Sequence, residues 1–307
     1  MPKEFVKSFP PLRPNSKLLV LGAGFSGRRV ANVVKAQGRT VICSRRNINS
    51  SGADIEFDSN SKDLPPIDDL KTITHVLSCI PPLATGEDPV LTKFLNHLQE
   101  MPLQWIGYLS TTGVYGDSKG EWVTENDIPK PQQPRSIRRL ACEEAWKHSG
   151  LPIQILRLPG IYGPNRSALE NFKNEKCKII EKPGQVFSRI HVDDIAGAVL
   201  HLIHKSSQGE WPLVVNIADD LPTSNKDVLN FAAKLLEKPL PIVEPFERAI
   251  EEMSAMAISF WQENRRVSNH LLCKELGYSL LHPDYQSGLK DCLKHFKYQK
   301  NTNPNYS

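Results

Sequence analysis

The residues richest in chemistry stand near the start of the chain. "GAGFSG" places Gly22, Gly24 and Gly27 directly after the apolar run "KLLVL". "RRVANVV" follows, and its Val30, Val33 and Val34 share one helical face. A strand, a glycine-rich turn and a helix in that order make a phosphate cradle. Gly22 permits the tight turn, Gly24 lets a pyrophosphate approach the backbone, and Gly27 lets helix and strand pack closely. The first helical residues, Phe25, Ser26 and Gly27, offer unpaired N–H groups to the anion. The second strand then ends in "CSRRN", with no Asp or Glu to hold ribose hydroxyls. Ser44, Arg45 and Arg46 supply a hydroxyl and two guanidiniums instead, the donors that a 2′-phosphate needs. The expected cofactor is NADP, with NAD as the alternative; the competing reading of "CSRRN" is a solvated basic loop.

A second group of candidates lies further on. Arg135 and Arg139 stand one helical turn apart in "PRSIRRLACEEAW". A guanidinium does not exchange a proton near neutral pH, but Arg139 can act as a fixed positive charge beside a developing oxyanion. The alternative makes both arginines solvated helix-surface charges. His191, Asp193 and Asp194 in "SRIHVDD" have the composition of a metal or acid/base cluster. They also fit a helix start capped by Asp193 or Asp194, the reading adopted here, and no metal is expected. Tyr162 and Arg166 in "IYGPNRS" follow a strand's C-terminal end, where ligands collect, and are expected to face a substrate. Met253 and Met256 read as packing residues. Trp105, Trp122 and Trp146 read as core or pocket wall.

The elements that must position these residues alternate. Short apolar runs at 17–24, 40–44, 74–80, 104–111, 152–158 and 212–219 read as strands, with helical patterns between them. That alternation predicts a Rossmann-type, doubly wound parallel sheet with right-handed crossovers. Residues 1–16 read as a flexible leader and 17–165 as the dinucleotide-binding domain, which also receives the strand near 212–219. Residues 166–307 read mostly as a smaller α/β substrate-binding cap intertwined with it. A helix leading to a short strand is expected over 167–180, and helices from Asp193 onward, over 223–236 with Thr223 or Ser224 as cap, over 269–277 and over 284–296. The net charge of +4 in 307 residues is small and scattered, which argues against nucleic-acid or membrane-surface partners. No apolar run approaches the ~20 residues of a membrane span. Six cysteines without metal-ligand spacing point to reduced thiols and a cytoplasmic setting. The expected partner is a small-molecule substrate, and a homodimer is compatible with the sequence.

"GAGFSG", "YLSTTGVYG", "ILRLPGIYGP", "SRIHVDDIAGAV" and "RRVSNHLLCKELGY" occur in an order that resembles the extended and atypical short-chain dehydrogenases/reductases, the NAD-dependent epimerase/dehydratase group. The resemblance covers about residues 17–295. Leu21 stands where the extended family has its first glycine, which points to the atypical branch. The resemblance implies that Thr111 hydrogen-bonds the reacting oxygen and that Tyr115 lies near the substrate pocket. It also implies a Tyr-x-x-x-Lys pair, and Arg135 and Arg139 occupy those two positions. Gly160 replaces an Asn that often contacts the substrate diphosphate. With no phenol in place, the proton would come from Tyr115 or water, and Thr111 and Arg139 would polarise a carbonyl. Two functions follow. One is an NADP-binding oxidoreductase or epimerase-like enzyme acting on a small polar or sugar-derived substrate. The other is a non-catalytic NADP(H)-binding redox sensor or assembly factor.

Overall fold

The computed structural model describes residues 6, 8–61, 63–173 and 177–302. The first half runs β1 (Lys17–Leu21), α1 (Phe25–Ala36), β2 (Thr40–Arg45), β3 (Ile55–Glu56), β4 (His75–Ser78), α2 (Pro89–Glu100), β5 (Trp105–Thr111), β6 (Trp122–Val123), α3 (Pro134–Lys147) and β7 (Ile153–Leu158). It continues with β8 (Gly160–Tyr162), β9 (Lys178–Glu181), β10 (Arg189–His191), α4 (Val192–Ser206), β11 (Val214–Asn216), α5 (Asn225–Leu236), β12 (Ile242–Pro245), α6 (Phe246–Ala249), α7 (Ala255–Trp261), β13 (Arg266–Val267) and α8 (Tyr285–Thr302).

Seven strands form one parallel sheet in the order β11-β7-β5-β4-β1-β2-β3. The order reverses between β1 and β4, which places a crevice at the C-terminal ends of those two strands. Side chains alternate across the sheet with the two-residue period of a strand. Leu18 and Val20 of β1 join one core with Val30, Val33 and Val34 of α1 and Ile195 and Val199 of α4. Leu19 and Leu21 join the opposite core with Phe94 of α2 and Trp146 of α3. Both faces are covered, which is why the strands read as unbroken apolar runs. No helix among the described residues is long and apolar enough to cross a membrane.

The second part of the chain divides its loyalties. α4 packs into the core beside α1, and β11 pairs with β7 from Val214↔Ile155 to Asn216↔Arg157. β9, α5 and α8 build a separate cap core around Leu169, Phe172, Ile179, Leu229 and Leu289. Over 167–180, read as a helix leading to a short strand, the strand is present as β9, while the helix is replaced by a short 3₁₀ turn, Glu170–Lys173. The Glu170 carboxylate accepts both the N–H and the O–H of Ser167 at 2.6 Å, which closes a single tight turn. Residues 174–176 of that stretch lie outside the described residues. Over 269–277 a π-helical turn at Leu271–Glu275 stands in for the expected helix. Ser224 caps α5, accepting from the Asp227 N–H.

The leader differs from the flexible segment expected. Residues 1–5 lie outside the described residues, but Phe9 and Leu12 are buried in the α1/α4 core. Gln37 and Arg39 donate to the Phe9 and Leu12 carbonyls at 3.2 and 2.8 Å. Trp105 and Trp146 are core residues as expected, whereas Trp122 and Met256 are exposed, because β6 and α7 lie at the surface.

One buried ion pair locks α3 to the sheet. Glu143 accepts from Arg157 at 2.7 Å and also receives the Ser110 hydroxyl of β5. Both charged side chains are almost fully enclosed. Removing one partner of such a pair leaves an uncompensated buried charge. Glu143→Ala is therefore expected to cost about 3–5 kcal/mol in urea unfolding. A loss below about 1 kcal/mol, the scale of an exposed pair, would show that the pair does not hold the helix.

Candidate functional site

β1 ends in the glycine turn, and β2 holds that turn in place. Gly22 has φ +79°, a region glycine enters freely. Its N–H donates to Ser44 Oγ at 3.0 Å, and Ala23 N–H donates to the Ser44 carbonyl at 2.9 Å. Arg45 donates to the Ala23 carbonyl at 2.6 Å. Ser44 is thus fully buried and cannot offer its hydroxyl to a ribose phosphate, contrary to the expectation from "CSRRN". Arg46 remains exposed, its Nε 3.7 Å from Asp58.

A cleft of about 280 Å³ opens over the turn, lined by Gly22, Gly24, Phe25, Ser26, Gly27, Cys79, Leu109, Ser110, Thr111, Arg139, Leu158, Pro159, Ile161 and Arg166. A side chain on Gly27 would meet Val20 Cγ1 at 2.9 Å and Cys79 Sγ at 3.0 Å, whereas one on Gly24 would meet only the Gly22 carbonyl, at 3.8 Å. Gly27 serves packing and Gly24 leaves space on the cleft side. Burial pushes the Cys79 thiol up to about 12, so it lines the cleft as an inert neutral group.

Arg139 is no solvated surface charge. One nitrogen donates to the Tyr108 hydroxyl at 2.9 Å and the Leu109 carbonyl at 3.2 Å, holding the guanidinium at the cleft wall. Arg135 is half-buried, its guanidinium 3.8 Å from the centre of the Phe260 ring, a cation–π contact with α7. Arg135, Arg139 and Glu143 recur every four residues along one face of α3.

Beyond Thr111 lies a second cavity of about 400 Å³. It is lined by Thr111, Thr112, Pro159, Gly160, Val186, Phe187, Ser188, Arg189, Asn225, Phe260, Trp261, Glu263, Arg265 and Val267. Thr111 lines both spaces. Its hydroxyl oxygen accepts from the Gly113 N–H at 3.1 Å. Glu263 is nearly enclosed; one carboxylate oxygen accepts from Arg265 at 2.7 Å. The other, Oε1, is buried with no hydrogen-bond partner among the described residues. Arg265 in turn donates to the Gly116 carbonyl at 2.6 Å. Glu263, Phe260 and Trp261 carried no motif in the sequence, and Arg265, the first residue of "RRVSNHLLCKELGY", was given no site role there. The weak pairing of β13 with β6 and the short α7 bring them to β5.

Two expected site residues turn away. Tyr115 is buried and donates to Asn216 Oδ1 at 2.8 Å, under the Arg157 guanidinium. Burial pushes its phenol up, so it holds its proton within the core. Tyr162 donates to the Asp284 carbonyl at 3.3 Å and packs edge-on against His191, inside the cap interface. Arg166 lines the cleft over the glycine turn instead of the second cavity. His191 caps α4 in place of Asp193 or Asp194: its Nδ1 accepts from the Asp193 N–H at 3.2 Å. Burial lowers its pKa to about 3, which keeps that nitrogen free to accept. Asp193 pairs with Arg29, and Asp194 receives the Leu281 and His282 N–H groups at 2.7 and 3.0 Å.

A parallel doubly wound sheet with a glycine-rich turn at its switch point is the architecture of Rossmann-type proteins. The chain belongs to the NAD dependent epimerase/dehydratase family, whose sequence profile matches residues 90–218. A functionally unknown conserved protein of Silicibacter pomeroyi is 35% identical, with 92% of this chain and 99% of that one superposed at a TM-score of 0.79. Protein YeeZ of Escherichia coli K12 is 24% identical over 290 residues, covering 87% of this chain and 97% of its own. Human epimerase family protein SDR39U1, solved with NADPH, is 17% identical and superposes at a TM-score of 0.68 over 91% of this chain and 99% of its own, a likeness of fold.

The two glycines should separate packing from cleft space. Gly27→Val is expected to lower stability by about 1–3 kcal/mol through overpacking, while Gly24→Val leaves thermal unfolding nearly unchanged. Equal losses in both would remove the distinction.

Proposed function

We propose that the protein is an NADP-dependent oxidoreductase or epimerase-like enzyme acting on a small polar or sugar-derived substrate. The observation that carries this reading is Thr111, which lines the nucleotide cleft and the adjoining cavity together. A cofactor in one space and a substrate in the other would meet at that residue. Gly22, Gly24, Phe25, Ser26 and Gly27 would hold the pyrophosphate. Arg45 and Arg46 would favour a 2′-phosphate, and Arg139 would take the place of the ribose-binding lysine. When bound, the nicotinamide supplies hydride transfer. Family membership and the NADPH in the human structure support a nicotinamide cofactor.

The chain's own groups would do the rest. Thr111 Oγ1 already accepts from Gly113, so its proton is free to donate to a substrate oxygen. Arg139, fixed by neutral acceptors, would stabilise negative charge on that oxygen. Glu263 Oε1 would accept a substrate hydroxyl, since a buried carboxylate oxygen left unpaired is costly. One observation favours the second reading, a non-catalytic NADP(H)-binding redox sensor or assembly factor. Arg135 stands where the resemblance places a phenol, and no Tyr, His or Lys is among the described residues lining either space. A positioned proton donor contributes a factor of about 10²–10⁴.

Calorimetric titration with NADPH and NADH tests the cofactor. Replacing the exposed Arg46 with Ala should weaken NADPH binding by about 1–3 kcal/mol, the size of a lost charged hydrogen bond, and leave NADH nearly unaffected, whereas Arg45→Ala, which also frees the Ala23 carbonyl of the glycine turn, should weaken both. A parent protein that prefers NADH contradicts the assignment. Oxidation of NADPH with a panel of carbonyl compounds and nucleotide sugars tests turnover. Arg139→Ala and Glu263→Gln should each abolish it. Tight NADPH binding with no turnover on any compound would select the sensor.

A further inference from the structure

Arg166 belongs to the part of the chain that builds the cap, yet it lines the nucleotide cleft. It closes a tight turn, Gly163-Pro164-Asn165-Arg166. Gly163 N–H donates to the Arg166 carbonyl, and Arg166 N–H to the Gly163 carbonyl, both at 3.0 Å. Proline at the second position and Asn165 at φ +66° in the third suit a turn of this kind. The turn is seated against the start of α1. A side chain on Gly163 would meet Phe25 Cζ at 3.2 Å and Val192 Cγ1 at 2.6 Å. The Arg166 guanidinium consequently lies 5.3 Å from the centre of the Phe25 ring, on the first helical residue after Gly24.

That guanidinium is uncommitted. It forms no hydrogen bond or ion pair among the described residues, and a ring face beneath it leaves its edge donors open. The charges among the cleft's lining residues are those of Arg139 and Arg166, with no carboxylate. Arg139 spends donors on the Tyr108 hydroxyl and the Leu109 carbonyl, deep in the wall. Arg166 stands at the exposed rim, beside the unpaired N–H groups that open α1.

We propose that Arg166 is a clamp for the cofactor's pyrophosphate, reaching from the cap side across the cleft to close on the anion that the glycine turn cradles. The clamp presupposes that the cleft holds a dinucleotide, as in the proposed function. Two N–H donors of one guanidinium match two phosphate oxygens, a geometry lysine cannot reproduce. The contact also couples the turn at 163–166 to ligand occupancy, so the cofactor would order the cap's first segment as it binds.

Fluorescence and calorimetric titrations of the full chain with three probes test the clamp. NADPH and ADP-ribose carry the pyrophosphate, and adenosine 2′-monophosphate lacks it. Arg166→Ala is expected to weaken NADPH and ADP-ribose alike by about tenfold or more, the size of one charge-assisted hydrogen bond. Adenosine 2′-monophosphate should bind as it does to the parent, Arg166→Lys should recover only part of the loss, and the exposed cap variant Arg248→Ala should lose nothing. Hydrogen exchange at 163–166 should slow on adding ADP-ribose to the parent and not to Arg166→Ala. Unchanged ADP-ribose affinity in Arg166→Ala overturns the clamp, as does an equal loss for adenosine 2′-monophosphate. A parent that binds none of the three probes overturns the dinucleotide reading itself, and the clamp with it.

Discussion

The ion pair between Glu143 and Arg157 sets where everything on α3 can stand. Glu143 takes the guanidinium of β7 and the Ser110 hydroxyl of β5 at once, so the helix is pinned over both strands. Four residues earlier, the same face presents Arg139 to the end of β5 and the nucleotide cleft. Four residues earlier again, it presents Arg135 to Phe260 of α7. One buried anchor thus aims two cations, one at the cleft over the glycine turn and one at Phe260 in the wall of the neighbouring cavity. Arg157 also lies over the ring of Tyr115, which ties the 3₁₀ turn after β5, Thr112–Tyr115, into the same network.

Arginine at 135 and 139, where the family resemblance implies a proton-transferring pair, would change what this site can do. Arginine contributes permanent charge and bidentate donation, but no proton exchange near neutral pH. Arg135 spends its charge on an aromatic face of the cap, which holds α7 against the nucleotide-binding half. On the proposed function the chemistry would shift toward electrostatic stabilisation and positioning. Proton exchange would fall to the hydroxyls of Thr111, Thr112 and Ser188, the Glu263 carboxylate or solvent.

The parts of this arrangement carried by local pattern were legible in the sequence. Strand, glycine turn and amphipathic helix depend on neighbours in the chain, and so does the alternation of strands and helices that marks a parallel, doubly wound sheet. The parts that failed were matters of direction. Ser44 lies in a strand whose pleat buries it against the glycine turn, while its neighbour Arg45 reaches the Ala23 carbonyl. Tyr115 and Tyr162 stand near strand ends but point into the interior, where Asn216 and the Asp284 carbonyl receive them. Phe9 and Leu12 sit in a proline-rich stretch with no periodicity, and only the groove between α1 and α4 gives them a place. Arg265 opens the stretch "RRVSNHLLCKELGY", but nothing in it pointed to a cavity, and Glu263 has no local signal at all. A two-residue pairing of β13 with β6 carries them more than a hundred residues back along the chain to the cavity.

The central claim is that one residue, Thr111, joins a dinucleotide cleft to a substrate cavity. A crystal structure of the full chain with NADP bound tests it most directly. The account predicts the pyrophosphate over Gly22–Gly27 and the nicotinamide C4 facing the cavity lined by Thr111 and Glu263. A nicotinamide ring turned away from that cavity, or a nucleotide bound elsewhere on the chain, would contradict it.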